Sequence, residues 1–181
     1  MICNQVQACA AGEVAGKPQA KCANHNRKEC IVSSDKRSRV KCEERTKKYL
    51  LENTMRNHVI SYKMDGGIIR MDRSVPEGTC KCDYLFLVHG AESHAVLVEL
   101  KGINVAHALK QLQGTLTLFQ NFLGKFSHVH GRIVVTSSTP DLKESPDYVN
   151  LARMLRQKFH GNLKIAERQM GERDVDLDKS S

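Results

Sequence analysis

Two long apolar runs dominate the pattern of hydrophobic and polar positions. CDYLFLV (82–88) and HAVLVEL (94–100) are apolar on both faces and are separated by a short polar stretch, His89-Gly90-Ala91-Glu92-Ser93. Such runs predict central strands covered on two sides. Upstream, VISYKM (59–64), Asp65-Gly66-Gly67 and IIRM (68–71) read as strand, tight turn and strand, and Pro76, Glu77 and Gly78 mark a second turn. Val105, Leu109, Leu112, Leu116, Phe119 and Leu123 recur at helical spacing, with Gly124 as the stop. RIVVTSS (132–138) predicts a short strand that Thr139-Pro140 breaks. Ser145-Pro146-Asp147 opens a helix running to about Phe159, and LKIAER (163–168) is a last strand. Ser33-Ser34-Asp35 can cap a helix over Lys36 to about Asn53, in which Val40, Glu44, Leu51 and Met55 lie close to one face. The order is helix, four strands, helix, strand, helix, strand. That predicts an α/β (α+β) fold with a central mixed β-sheet flanked by helices.

At 181 residues the chain suits one domain that builds its core without metals or disulfides. Residues 1–30 carry few large apolar side chains and no periodicity, which predicts a loosely structured arm. The domain proper spans 31–168, and the polar residues 169–181 read as a disordered tail. No uncharged run is long enough for a membrane span, and the N-terminus has no basic start followed by an apolar block, so the expected compartment is the cytoplasm. Seven cysteines, an odd number, then read as reduced thiols. A structural Zn²⁺ site is the alternative, from Cys22, His25 and Cys30 with Cys42, or from Cys80 and Cys82 on one face of a strand; the spacings fit no common zinc-finger pattern.

The 28 Lys and Arg against 20 Asp and Glu leave a net charge of +8, which favours a polyanionic partner. The charge is uneven: the stretch 36–48 is rich in Lys and Arg, so Lys36, Arg37, Arg39 and Lys41 are the expected phosphate contacts, or else a solvated face. Aromatic residues are 5% and tryptophan is absent, which argues against base stacking and for recognition through phosphates and shape.

The chemistry sits on the two central strands. Folded symmetrically about Ala91, residues pair when their numbers sum to 182, so Asp83 falls opposite Glu99. Directly opposed residues share a face, and Lys101, two positions beyond Glu99, shares it too. Two carboxylates and an ammonium thus meet at the open end of otherwise apolar strands. Mg²⁺ or Mn²⁺ would relieve the repulsion, taking hard oxygens from both carboxylates and from the backbone carbonyl of Leu100. An ion pair through Lys101 is the plainer alternative. His89, His94, His128 and His130 flank strands and could approach this site or be structural.

Asp83, then Glu99-Leu100-Lys101 after fifteen residues, resembles the Asp…(Asp/Glu)-X-Lys signature of the PD-(D/E)XK nuclease superfamily. The element order over roughly residues 36–138 is similar to that family's helix–three strands–helix–strand core, with Cys82 where the usual proline would stand. The resemblance is to small bacterial members. It implies a restriction-endonuclease-like core and divalent-metal-dependent hydrolysis of phosphodiesters, of DNA more than RNA. It implies Asp83 and Glu99 as metal ligands, joined by a glutamate of the first helix, best matched by Glu44 and next by Glu43. Lys101 would serve the attacking water, and Gln111 on the following helix would steer water or phosphate. A single-site nuclease of this size needs a homodimer or two encounters to cut both strands. The alternative is a non-catalytic nucleic-acid-binding or protein-interaction module on the same fold. Lys63-Met64-Asp65-Gly66 also resembles the nucleotide-attachment motif of ligases and capping enzymes, whose other motifs are absent here, and the turn accounts for it.

Overall fold

The structure, a computed structural model, describes residues 2–19, 21–22, 25–71, 74–137 and 142–179, with the side chains of Lys21, Cys22, His25, Met71 and Leu142 left out. The chain runs α1 (Ile2–Val14), β1 (Lys21–Cys22), β2 (His25–Asn26), α2 (Arg27–Cys30), β3 (Ile31–Asp35), β4 (Arg39–Glu44), β5 (Lys47–Glu52) and β6 (His58–Lys63). It continues β7 (Tyr84–His89), β8 (Ser93–Lys101), α3 (Val105–Leu118), α4 (Gln120–Leu123), β9 (His128–Val135), α5 (Pro146–Phe159), β10 (Leu163–Glu167) and β11 (Gln169–Arg173).

A mixed six-stranded sheet in the order β10-β9-β8-β7-β6-β3 forms the centre. The doubly apolar runs β7 and β8 occupy its middle, as their composition requires. They pair antiparallel with Tyr84 opposite Val98 and Leu85 opposite Leu97, the expected register. Odd-numbered Leu85, Leu87, Ala95 and Leu97 face one core, which α1, α3 and α5 cover. Even-numbered Phe86, Val88, Val96 and Val98 face a second core, closed by a three-stranded sheet, β11-β5-β4. The molecule is therefore helices, six-stranded sheet and small sheet in three layers. Among the described residues no helix is long and apolar enough to cross a membrane.

The predicted α5 stands as read: Ser145 accepts from the Tyr148 amide, Pro146 opens the first turn, and Leu151, Leu155 and Phe159 are buried. Four expectations need correction. Residues 36–53 form the antiparallel hairpin β4–β5, not a helix, because Val40, Cys42, Lys47, Tyr49 and Leu51 alternate into the core with period two. Its turn is at Arg45, whose φ of 54° has no glycine to announce it. Residues 68–71 form a 3₁₀ turn rather than a strand. The N-terminal residues are not a loose arm: α1 buries Ile2, Val6, Cys9 and Ala10, and its buried Glu13 takes a bidentate contact from Arg27 at 2.5 and 2.6 Å. Nor is the stretch after 168 a disordered tail over its described length. β11 runs parallel to β5 with Met170 buried, and Asp174 accepts from the Thr54 and Met55 amides, both at 3.0 Å. Thr139-Pro140 lies outside the described residues.

Candidate active site

Asp83 stands one residue before β7, held on both sides by backbone. Its N–H donates to the Val98 carbonyl (3.1 Å), its own carbonyl accepts from the Met64 amide (2.8 Å), and its Oδ2 accepts from the Leu100 N–H (2.7 Å). Glu99, paired with Ile133 of the helix-side core, lies near enough for the Asp83 charge to act on it. It is 0% exposed, and neither carboxyl oxygen has a hydrogen-bond partner. The nearest cation is Lys101, whose Nζ lies 3.8 Å from Oε1. Burial, with the neighbouring Asp83 charge, pushes the Glu99 carboxyl up to about 9, against the pull of Lys101 and of the nearby Asp83 N–H. Burial also raises Asp83, against the stabilising Leu100 amide. The expected triad is thus assembled. Leu100 takes part through its N–H on Asp83, where its carbonyl was the expected metal ligand.

A cleft of about 430 Å³ opens beside Asp83. Glu44 reaches it from the end of β4, in the small sheet rather than in a first helix, and its charge raises both Asp83 and Glu99. Glu43, the second choice, is exposed and pairs with Lys41. Asp65 joins from the turn after β6, where its ion pair with Lys81 measures 3.5 Å; Lys63 and Arg70 stand at the rim. That turn needs its glycines: Gly66 has φ +72°, and a Cβ on Gly67 would lie 2.2 Å from the Lys63 carbonyl. In the sequence Lys63 and Asp65 stand out only as a turn that resembles a nucleotide-attachment motif, and Arg70 and Lys81 belong to no motif. The signal was there in the charges flanking the turn.

α3 fixes the approach to Asp83. Its Thr115 hydroxyl accepts from the Cys82 amide (2.7 Å), and Gly114 lets the helix sit so close that a Cβ there would meet the Cys80 carbonyl at 2.3 Å. Gln111, half-buried, donates through Nε2 to the Lys81 carbonyl (3.1 Å) and leaves Oε1 buried without a partner. It therefore faces the site's supporting strand rather than solvent. Cys82, where the family resemblance would place proline, is fully buried, and burial pushes its thiol up.

The other candidates disperse. Arg37 contacts Asp35, Arg39 lies 4.0 Å from Glu52, Lys41 lies 3.1 Å from Glu43, and Lys36 is exposed. These residues border or occupy the edge strand β4, where charge blunts edge pairing, and three of the four already carry an acidic partner. Cys30 belongs to the helix-side core and Cys42 to the core on the opposite face of the large sheet, so the two cannot share a zinc ion. The Cys22 and His25 side chains lie outside the described residues. The described cysteines Cys3, Cys30, Cys42, Cys80 and Cys82 are free thiols, and the Cys9 sulfur accepts from the Tyr62 hydroxyl at 3.3 Å. His89, His94, His128 and His130 stand at the opposite end of the strands from Glu99.

The donor set at the triad is all oxygen, and the two orphaned oxygens of Glu99 are what a hard divalent cation would satisfy. Among the described residues, no trio of candidate ligand atoms within 4.8 Å of one another includes Asp83 or Glu99. The fit is thus to a cation held by one or two carboxylates and completed by water and substrate, the habit of Mg²⁺. No protein-family model, curated protein or solved structure matches the chain.

Proposed function

We propose that the chain is a divalent-metal-dependent nuclease of PD-(D/E)XK type that hydrolyses phosphodiester bonds, in DNA more readily than in RNA. The observation that carries the reading is Glu99, a carboxyl buried completely, without a hydrogen-bond partner, beside a second carboxyl. A protein core tolerates such a group at considerable cost, so a retained one argues for use. The order α1, β6-β7-β8, α3, β9 supports the family reading, since it contains a helix, three strands, a helix and a strand. The helix is α1, and its Glu13 is engaged by Arg27, so the extra carboxylate comes from Glu44.

Mg²⁺ or Mn²⁺ held by Asp83 and Glu99 would activate a water and neutralise charge on the phosphate. Lys101 would orient that water or take its proton. Gln111 and Thr115 would position the strand that carries Asp83, and Lys63 and Arg70 would receive the phosphate backbone at the cleft rim. Lys36, Arg37, Arg39 and Lys41 would add phosphate contacts remote from the cleft. One site per chain cuts one strand, so a double-strand break needs two copies or two encounters. The free thiols favour a reducing compartment, the cytoplasm.

The test incubates the purified chain with supercoiled, linear and single-stranded DNA and with RNA, in Mn²⁺, in Mg²⁺ and in EDTA. Cleavage in metal and none in EDTA is expected. Binding without cleavage under every condition would overturn the enzyme reading in favour of a non-catalytic binding module.

A further inference from the structure

A second constellation lies at the other end of the large sheet. His94, the second residue of β8, pairs in register with His128 on β9, with His130 two residues further. All three face the small-sheet side and stack, with interplanar angles of 16°, 19° and 8°. Asp178, on the segment after β11, meets them. His94 Nδ1 lies 3.2 Å from His130 Nε2; Asp178 Oδ1 lies 3.3 Å from that same Nε2 and 3.9 Å from His94 Nδ1.

That triangle has the size of a metal's ligand sphere. Tetrahedral Zn²⁺ with bonds of about 2.0–2.1 Å separates its ligand atoms by about 3.3–3.4 Å. Two edges match, and the third, to a half-exposed carboxylate, is the one that can shorten by side-chain rotation.

The surroundings prepare the nitrogens. Asn162 is fixed in orientation, because its Oδ1 accepts from Arg132 Nη1 (2.8 Å) and its Nδ2 donates to the Leu177 carbonyl (2.9 Å). Its Oδ1 also lies 3.2 Å from His130 Nδ1. A proton on Nδ1 makes that contact a hydrogen bond and leaves Nε2 with its lone pair toward His94 and Asp178, the usual outer partnership of a metal-bound histidine. The Asn162 amide N–H, 3.3 Å from the same Nδ1, favours the other tautomer over a longer distance.

His128 plays a different part. Its Nδ1 faces the His160 carbonyl (2.7 Å) and the Asp178 carboxylate (3.2 Å), and its Nε2 faces Glu92 (2.9 Å). Both nitrogens meet acceptors, so both carry protons, and the ring is a cationic neighbour rather than a ligand. Asp178 also lines a cleft of about 530 Å³ with His160 and Lys164.

We propose that His94 Nδ1, His130 Nε2 and Asp178 Oδ1 bind a late first-row divalent cation, Zn²⁺ above all, with one coordination position left for water. Two imidazole nitrogens select such an ion over Mg²⁺ or Ca²⁺. Because the ligands come from β8, β9 and the C-terminal segment, the ion would clamp that segment to the sheet. The site is independent of the nuclease reading.

The test uses the full chain, stripped of metal and kept reduced, titrated with Co²⁺ and, by calorimetry, with Zn²⁺. One tight equivalent is expected, apart from any weaker ion at Asp83 and Glu99, with the visible bands of four-coordinate Co²⁺ and without thiolate charge-transfer bands. Asp178→Asn, at an exposed position, and His94→Gln should each weaken binding by at least about tenfold, while Glu77→Gln, exposed in a turn outside both sites, should bind Co²⁺ as wild type does. Far-ultraviolet circular dichroism of the metal-free variants checks the fold, and should His94→Gln misfold, Asp178→Asn alone decides. Absence of binding would overturn the proposal and leave Asp178 as an ion-pair partner of His128. So would affinity unchanged in Asp178→Asn, or thiolate bands, which would place the ion on cysteine.

Discussion

Glu99→Gln should stabilise the metal-free protein at neutral and alkaline pH. The substitution keeps the shape of the side chain and removes its charge. In the unfolded chain the carboxyl ionises near 4.5; in the folded chain burial and Asp83 hold it at about 9. A raised carboxyl costs nothing below pH 4.5, where both states are protonated. As pH rises, the unfolded state releases its proton and the folded state does not, so stability falls until pH passes about 9. Each pH unit in that window removes up to about 1.4 kcal/mol, so by pH 8 ionisable Glu99 withholds as much as about 5 kcal/mol. Urea denaturation in EDTA between pH 4.5 and 8.5 measures this directly. Wild type should lose stability across the window, and Glu99→Gln should follow a flatter curve, coinciding near pH 4.5 and lying above at pH 8. Saturating Mn²⁺ should recover part of the difference for wild type only, by about 2.7 kcal/mol at a hundredfold excess over Kd. Parallel curves, or a variant less stable at pH 8, would refute the account of Glu99 as an uncompensated buried acid.

Further outcomes follow from the same contacts. Gly114→Ala drives a methyl into the Cys80 carbonyl, so it should destabilise by about 1–3 kcal/mol in denaturant melts. It should also slow any cleavage, because α3 then shifts against the strand leading to Asp83. Arg132→Met removes the buried partner of Glu172, whose carboxylate also receives Tyr49 and Lys164, and should cost about 3–5 kcal/mol by the same measurement. Lys101→Ala should lose roughly 10²–10⁴-fold in single-turnover rate while still binding Mn²⁺ in a calorimeter; tighter metal binding with the rate preserved would show that Lys101 only neutralises the carboxylates.

What the sequence disclosed about this molecule was local. The β7–β8 hairpin and its register were legible because both strands are continuous apolar runs joined by a short polar stretch, and that register, ending at Tyr84 opposite Val98, leaves Asp83 and Glu99 as the next residue on each chain. α5 was legible from Ser145 and Pro146. The hairpin over 39–52 was not, because good helix formers fill it and Arg45 turns the chain without a glycine. Glu44 was picked for a helix that does not exist and still reaches the cleft, carried there by the packing of the small sheet. β11 is held by a parallel pairing with β5 more than a hundred residues earlier, which no local pattern announces. The histidine constellation needed the β8–β9 register. His128 and His130, two apart, signalled one face of a strand, but nothing in the sequence tied them to His94 or Asp178.

The most direct test of the central claim is single-turnover cleavage of one labelled duplex in Mn²⁺ by wild type, Asp83→Ala and Glu99→Ala, each shown by circular dichroism to be folded. The account predicts cleavage by wild type and its loss in both variants, because each removes a metal ligand. Wild-type rates in both variants would contradict it.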